Sequence, residues 1–200
     1  SPEGAELEKE LVTVAKECGV KFMGPNCFGI MSPGKGINAT FAHLLPESGN
    51  ITIFSQSGAV GSSIIDWAYF NKMGIANFVT FGNKADIDEA DLLKDLSEDP
   101  ETKVIGMYCE GISDGEKFVE AVQGMPNKKP IVIFKSGRTQ AGSAAASSHT
   151  GSLAGSDAVN NVIFNKLNIF RAKDLDEMFD ALAAVSYTHL RAHETPEHLV

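Results

Sequence analysis

No stretch of the sequence approaches the roughly 18–20 consecutive apolar residues needed to span a bilayer. Hydrophobic residues still make up 43% of the 200, and the mean hydropathy is -0.06, so a globular core is available and a helical membrane protein is excluded. Positive charge is scarce: 17 Lys and Arg against 26 Asp and Glu leave a formal net charge of -9. That balance argues against nucleic acid and anionic membranes as partners, since both select basic patches. Cysteine is scarce too. Cys18, Cys27 and Cys109 lack any CxxC spacing, which points away from a disulfide frame or a zinc site and toward reduced thiols in the cytoplasm. Cys109 sits in an apolar run and reads as a small buried hydrophobe; a nucleophilic Cys27 is the alternative left open. There are no internal repeats and no GxxxxGK[ST], and Gly58-Ala-Val-Gly61 is not GxGxxG, so a nucleotide site within the chain is not supported.

What is present is an alternation of short apolar runs and helix-period segments. The acidic opening, SPEGAELEKEL, has no signal-peptide character and reads as the middle of a longer protein. A helix is expected over Glu6–Lys16, stopped at Gly19. Strands are expected at Val20–Met23, Ile51–Phe54, Asn77–Phe81, Val104–Cys109, Ile131–Phe134 and Asn168–Arg171. Between and after them, helices are expected at Ala59–Lys72, Ile87–Ser97, Gly115–Val122, Asp157–Lys166 and Asp174–Val185, the last with Asp174 as N-cap. Strands alternating with helices, and apolar on both faces, predict an α/β domain with a parallel, doubly wound sheet. Ligands in such sheets bind outside the carboxyl ends of the strands. Those ends carry Ser55–Gly58, Gly82–Asn83, Glu110–Gly111 and Lys135–Arg138.

Residues 186–200 break the pattern. His189, His193 and His198 raise a metal site, but HETPEH is one residue too long for HExxH and Pro196 would interrupt the helix that motif needs. The segment resembles translated sequencing adapter and is read as a non-native tail. No metal site is assigned.

The remaining histidine of interest, His149, lies in Lys135–Gly155, a run of Ser, Ala and Gly. Loops of this length in compact domains are functional or disordered. Four chemistries compete around it. A serine hydrolase would use Ser57, but GxSxG is replaced by Ser55-Gln-Ser57-Gly58-Ala59. Nucleotide binding lacks its motifs. Anion binding at Ser55–Gly58 would use free N–H groups and the dipole at a helix start, although Ser55 or Ser57 could simply cap the helix. Finally, Glu110 could accept a proton from one nitrogen of His149 and leave the other as nucleophile.

GPNCFGI (24–30), FSQSGAVGSSIIDWA (54–68), FGNKADIDEADLL (81–93), YCEGI (108–112) and KSGRTQAGSAAASSHTGSLAG (135–155) together resemble the ADP-forming acyl-CoA synthetases, acetate:CoA ligases related to succinyl-CoA synthetase. The likeness covers nearly all of residues 1–185 in order. It implies a flavodoxin-like, succinyl-CoA synthetase-like domain over 21–185, preceded at 1–20 by the last helix of a truncated CoA-binding Rossmann domain. It further implies that acyl-CoA, phosphate and ADP interconvert with carboxylic acid, CoA and ATP through an acyl phosphate and a phosphohistidine. By position in the motifs, His149 would carry the phosphoryl group and Glu110 would stabilise it. Ser57, Gly58, Asn26 and Asn83 would hold phosphate or acyl phosphate. No tightly bound cofactor is implied in this domain; CoA, phosphate and ADP/ATP with Mg2+ are substrates of the complete enzyme. An ATP-grasp beta subunit or fused domain and a CoA-binding domain are the implied partners, in a hetero- or homo-oligomer. A non-catalytic acyl-CoA-sensing module fused to a protein acetyltransferase is the rival reading, with the serine hydrolase behind it.

Overall fold

The computed structural model describes residues 1–137 and 157–191, with backbone alone for 188–191. In chain order its elements are α1 (Pro2–Cys18), β1 (Gly29–Ser32), β2 (Ile37–Thr40), β3 (Ser48–Ser55), α2 (Gly58–Phe70), β4 (Ile75–Thr80) and α3 (Glu89–Leu96). There follow β5 (Val104–Cys109), α4 (Gly115–Gln123), β6 (Ile131–Lys135), α5 (Asp157–Lys166), β7 (Phe170–Arg171) and α6 (Leu175–Arg191). Short polar side chains start the helices. Ser57 Oγ accepts from Val60 N–H at the head of α2, Asp88 and Asp91 form a capping box on α3, and Asp174 Oδ1 accepts from Glu177 N–H at 2.8 Å ahead of α6. Among the described residues no helix is long and apolar enough to cross a membrane.

The sheet has 7 strands in the order β2-β1-β4-β3-β5-β6-β7, and the last five of that row are parallel. Numbered among themselves, those five run 2-1-3-4-5, the flavodoxin-like order, whose direction reverses between β3 and β5. Side chains alternate across the strands and feed two cores. On one face Ile51, Ile53 and Val104 pack with Ile64, Ile65 and Ala68 of α2 and Met178 and Leu182 of α6. On the other, Phe54, Ile105 and Met107 pack with Leu93 of α3, Phe118 of α4 and Phe164 of α5. Each fully buried side chain of this size contributes about 1.5–3 kcal/mol, which is why the expected doubly wound sheet forms.

Three local expectations differ. Val20–Met23 is not a strand. It runs beside the loop after β4, where Ile87 N–H donates to Phe22 O at 3.3 Å, Ala85 N–H to Gly24 O at 2.9 Å and Phe22 N–H to Asp86 Oδ2 at 3.1 Å. Those bonds satisfy the backbone that a sheet would otherwise pair. In its place the edge of the sheet carries an unexpected antiparallel hairpin, β1–β2, turned at Pro33–Lys35 with Gly36 left-handed. β1 also pairs antiparallel with β4. The last helix runs past the expected Val185 to Arg191, and buried Ser186 donates to Asn50 Oδ1 at 2.6 Å.

Candidate functional site

The loops leaving β3, β4 and β5, together with the segment ahead of β1, enclose a cavity of about 760 Å³ at the carboxyl edge of the sheet. Asn26, Ser57, Gly58, Asn83 and Glu110 all line it. His149 and Arg138 lie outside the described residues, so the Glu110–His149 pairing is not described either.

The turn at the head of α2 is held by its own hydroxyls. Ser55 is buried at the end of β3 and its Oγ donates to Ser57 O at 2.7 Å while accepting from Ser57 N–H at 3.3 Å. Ser57 then caps the helix, with its Oγ accepting from Val60 N–H at 3.3 Å. The amides of Gly58 and Ala59, as the first of a 13-residue helix, have no intrahelical partner and sit at the positive end of its dipole. Capping by Ser57 therefore leaves the Gly58 and Ala59 amides free of intrahelical bonds. Ser57 Oγ accepts the capping bond from Val60 N–H, and the histidine that a hydrolase would pair with it, His149, lies outside the described residues.

The facing wall is the turn around Asn26, itself left-handed at φ 60. Three of the bonds that hold it are these. Phe28 and Gly29 N–H both donate to Thr80 Oγ1 at 2.8 Å, and Asn83 N–H donates to Pro25 O at 2.9 Å. The close approach requires Gly82, at φ +58, where a Cβ would lie 2.2 Å from Pro25 O. Asn83 Nδ2 donates to Glu8 Oε2 of α1 at 2.5 Å, so α1 supplies a carboxylate to the rim. Phe28 and Phe41 meet edge to face at 6.0 Å beside the cavity and give it an apolar side.

The floor carries the Glu110 carboxylate and the Lys84 amine, and the amine of Lys135 lies buried behind it. Glu110 is half-buried and its carboxylate has no hydrogen-bond partner among the described residues. Lys84 Nζ lies 3.2 Å from Glu89 Oε2 in a buried ion pair and donates to Gly111 O at 3.0 Å. Lys135, 3% exposed, donates to Glu110 O at 2.7 Å, and burial pulls its amine below the ordinary lysine value. Beside it, burial pushes the Cys109 thiol up, out of reach of thiolate chemistry at neutral pH, as expected of a small core residue. Cys27 lines the cavity and its Sγ donates to Met23 O at 3.8 Å. The sequence reading placed Gln56 and Lys135 at strand ends without assigning either a task, and it did not single out Lys84 or Thr80, which stand at or within a few residues of the end of β4.

Residues 48–185 match the model of the succinyl-CoA ligase like flavodoxin domain. Over 186 residues the chain is 44% identical to acetate–CoA ligase [ADP-forming] I of Archaeoglobus fulgidus, covering 92% of this chain and 27% of that protein. Over 184 residues it is 42% identical to the alpha subunit of acetate–CoA ligase [ADP-forming] I of Pyrococcus furiosus, covering 92% and 40%. The chain thus spans about a quarter to two fifths of the length of these relatives. Among solved structures, acetyl-coenzyme A synthetase 1 of Ca. Korarchaeum cryptofilum, in complex with phosphate and ADP, superposes with a TM-score of 0.86 at 42% identity, covering 90% of this chain and 39% of that one. The flavodoxin-like strand order, the converging strand-end loops and these matches agree: the chain belongs to the succinyl-CoA ligase like flavodoxin domain family.

Proposed function

We propose that this chain is the phosphohistidine-relay domain of an ADP-forming acid–CoA ligase. The observation that carries the reading is the convergence of Asn26, Ser57, Gly58, Asn83 and Glu110 on one cavity at the switch point of the sheet. Relatives named acetate–CoA ligases support the reaction type. In the direction of ATP synthesis, a phosphate oxygen attacks the thioester carbonyl and CoA leaves as the thiol, giving acyl phosphate. His149 then attacks phosphorus, the carboxylate departs, and phosphohistidine remains; ADP takes the phosphoryl group and His149 is restored.

Each residue has a physical task. The amides at Gly58 and Ala59, with the α2 dipole behind them, stabilise the anionic phosphoryl group with little reorganisation. Asn26 and Asn83 supply amide donors from the opposite wall. Phe28 and Phe41 present apolar surface to the acyl group. Glu110 stabilises the cationic imidazole ring that forms when His149 is phosphorylated. Neutral histidine is a competent nucleophile near pH 7, and a Gly/Ala/Ser-rich sequence suits a carrier that visits a second site. That site would be an ATP-grasp beta subunit or fused domain, with Mg2+ entering alongside ADP or ATP. In this reading residues 1–20, hence α1, end a CoA-binding domain, and 21–185 form the relay domain.

The reading is tested by incubating the protein and its nucleotide-binding partner with ATP labelled at the γ-phosphate. Acid-labile, base-stable label is expected on the wild type and absent from His149→Ala. Label of that kind on His149→Ala would overturn the assignment.

A further inference from the structure

Glu110 and Gly111 are the first residues past β5, where the ladder ends and water could satisfy the backbone. Instead, side chains hold all four of their backbone polar groups. Glu110 N–H donates to Gln56 Oε1 at 2.7 Å, and Gly111 N–H donates to the same oxygen at 3.0 Å. The Gly111 carbonyl accepts from Gln56 Nε2 at 2.7 Å and from Lys84 Nζ at 3.0 Å. The Glu110 carbonyl accepts from Lys135 Nζ at 2.7 Å.

Gln56 is the first residue past β3, and its own N–H donates to Tyr108 O at 3.1 Å in the last rung of the ladder. Its side-chain amide then acts as one more peptide group, accepting and donating where the next residue of a strand would. The two ammonium groups add charge-assisted bonds, which are shorter and stronger than neutral ones. Their burial is costly. Lys84 is compensated by Glu89, with side-chain exposures of 11% and 3%, and Lys135 by two carbonyls, the second being Ser136 O at 2.9 Å. An ordinary strand-end turn needs none of this. The consequence is geometric: the backbone from which the Glu110 side chain leaves is pinned on both sides, and the carboxylate enters the cavity from one direction.

We propose that Gln56, Lys84 and Lys135 are positioning residues for the Glu110 carboxylate, fixing the two peptide groups of Glu110–Gly111 so that the acid is preorganised. This rests on the reading of Glu110 as the partner of His149.

In the complete ligase, the rate of phosphoenzyme formation from ATP is compared for Gln56→Glu, Glu110→Gln and the double variant. Gln56→Glu keeps the acceptor oxygen but turns the donating amide into an oxygen facing the Gly111 carbonyl. It should slow phosphoenzyme formation about 10- to 100-fold, the scale of displacing a positioned group by an ångström, and leave KM for ATP unchanged. In the Glu110→Gln background the same change should cost less than about 2-fold, because the group being positioned is already lost. A wild-type rate for Gln56→Glu beside an impaired Glu110→Gln, or losses that simply multiply in the double variant, would overturn the positioning role. A wild-type rate for Glu110→Gln would instead overturn the functional reading beneath it. Hydrogen exchange on the unsubstituted protein gives a second measure that needs no variant to fold. The Glu110 and Gly111 amides should exchange as slowly as those of β5; exchange at open-loop rates would refute the lock.

Discussion

Gly82→Ala probes the contact that joins two walls of the cavity. The backbone of Gly82 is left-handed, at φ +58, which costs an L residue about 1–2 kcal/mol. The added Cβ would also stand 2.2 Å from Pro25 O and 2.5 Å from Asn26 O. Those are backbone atoms, so no side-chain rotation relieves the overlap. The turn at 24–26 must retreat, which breaks or stretches the bonds from Asn83 N–H to Pro25 O and from Ala85 N–H to Gly24 O, both 2.9 Å. At about 0.5–1.5 kcal/mol for each bond, the whole penalty comes to about 2–5 kcal/mol. In a protein of this size that corresponds to a fall in Tm of roughly 5–15 °C. Gly36→Ala is the matched control: φ is +67 but no atom lies within 4 Å of its Cβ, so only the backbone penalty applies. Thermal unfolding of the two variants and the wild type separates the terms. Equal falls for Gly82→Ala and Gly36→Ala would refute the claim that the Asn26 turn is braced through Gly82.

Asp99 should give the protein an acid-sensitive component of stability. Burial pushes its carboxyl up, but donors from Thr102 Oγ1, Glu101 N–H and Asn77 Nδ2 outweigh burial and hold it below its ordinary value of 3.8. A folded-state value below the unfolded one means stability present above about pH 4 and lost as pH falls through the folded value. Urea titrations at a series of pH values should show a shallower acid loss in Asp99→Asn, and an unchanged slope would count against the network. Ser57→Ala removes the α2 cap and should cost about 0.5–2 kcal/mol; it should also reduce the rise in Tm produced by inorganic phosphate, whereas equal protection would separate the cap from the anion seat. Leu93→Ala, at a position 0% exposed between α3 and the sheet, should destabilise by about 2–5 kcal/mol in chemical unfolding. A loss under about 1 kcal/mol would mean the second core collapses around the gap.

Much of the frame was legible because burial on both faces leaves a one-dimensional trace. Ile51–Phe54, Val104–Cys109 and Ile131–Phe134 are predominantly apolar runs, broken only by Thr52 and Gly106, and each lies within an observed strand. Val20–Met23 shows where that logic fails. It is apolar enough to read as a strand, yet Asp86 and the carbonyls along it pair it with a loop. The β1–β2 hairpin was missed for the opposite reason: β2 is an edge strand with three exposed residues, so it carries no apolar run. Its turn, Pro33-Gly34-Lys35-Gly36, was the available signal.

The candidate site divides the same way. Ser57, Gly58, Asn83 and Glu110 were legible because residues just past parallel strands must gather at one sheet edge, whatever the details of packing. Asn26 came from motif resemblance and is placed on the facing wall by the brace at Gly82. The tasks of Gln56, Lys84 and Lys135 could not be read along the chain. A glutamine that stands in for a peptide group, and two ammonium groups aimed at carbonyls 25 and 27 residues away, depend on how strand ends approach in space. Periodicity and punctuation are local properties and so belong to the sequence; which distant group a flexible polar side chain meets is set only when the sheet has closed its register around it.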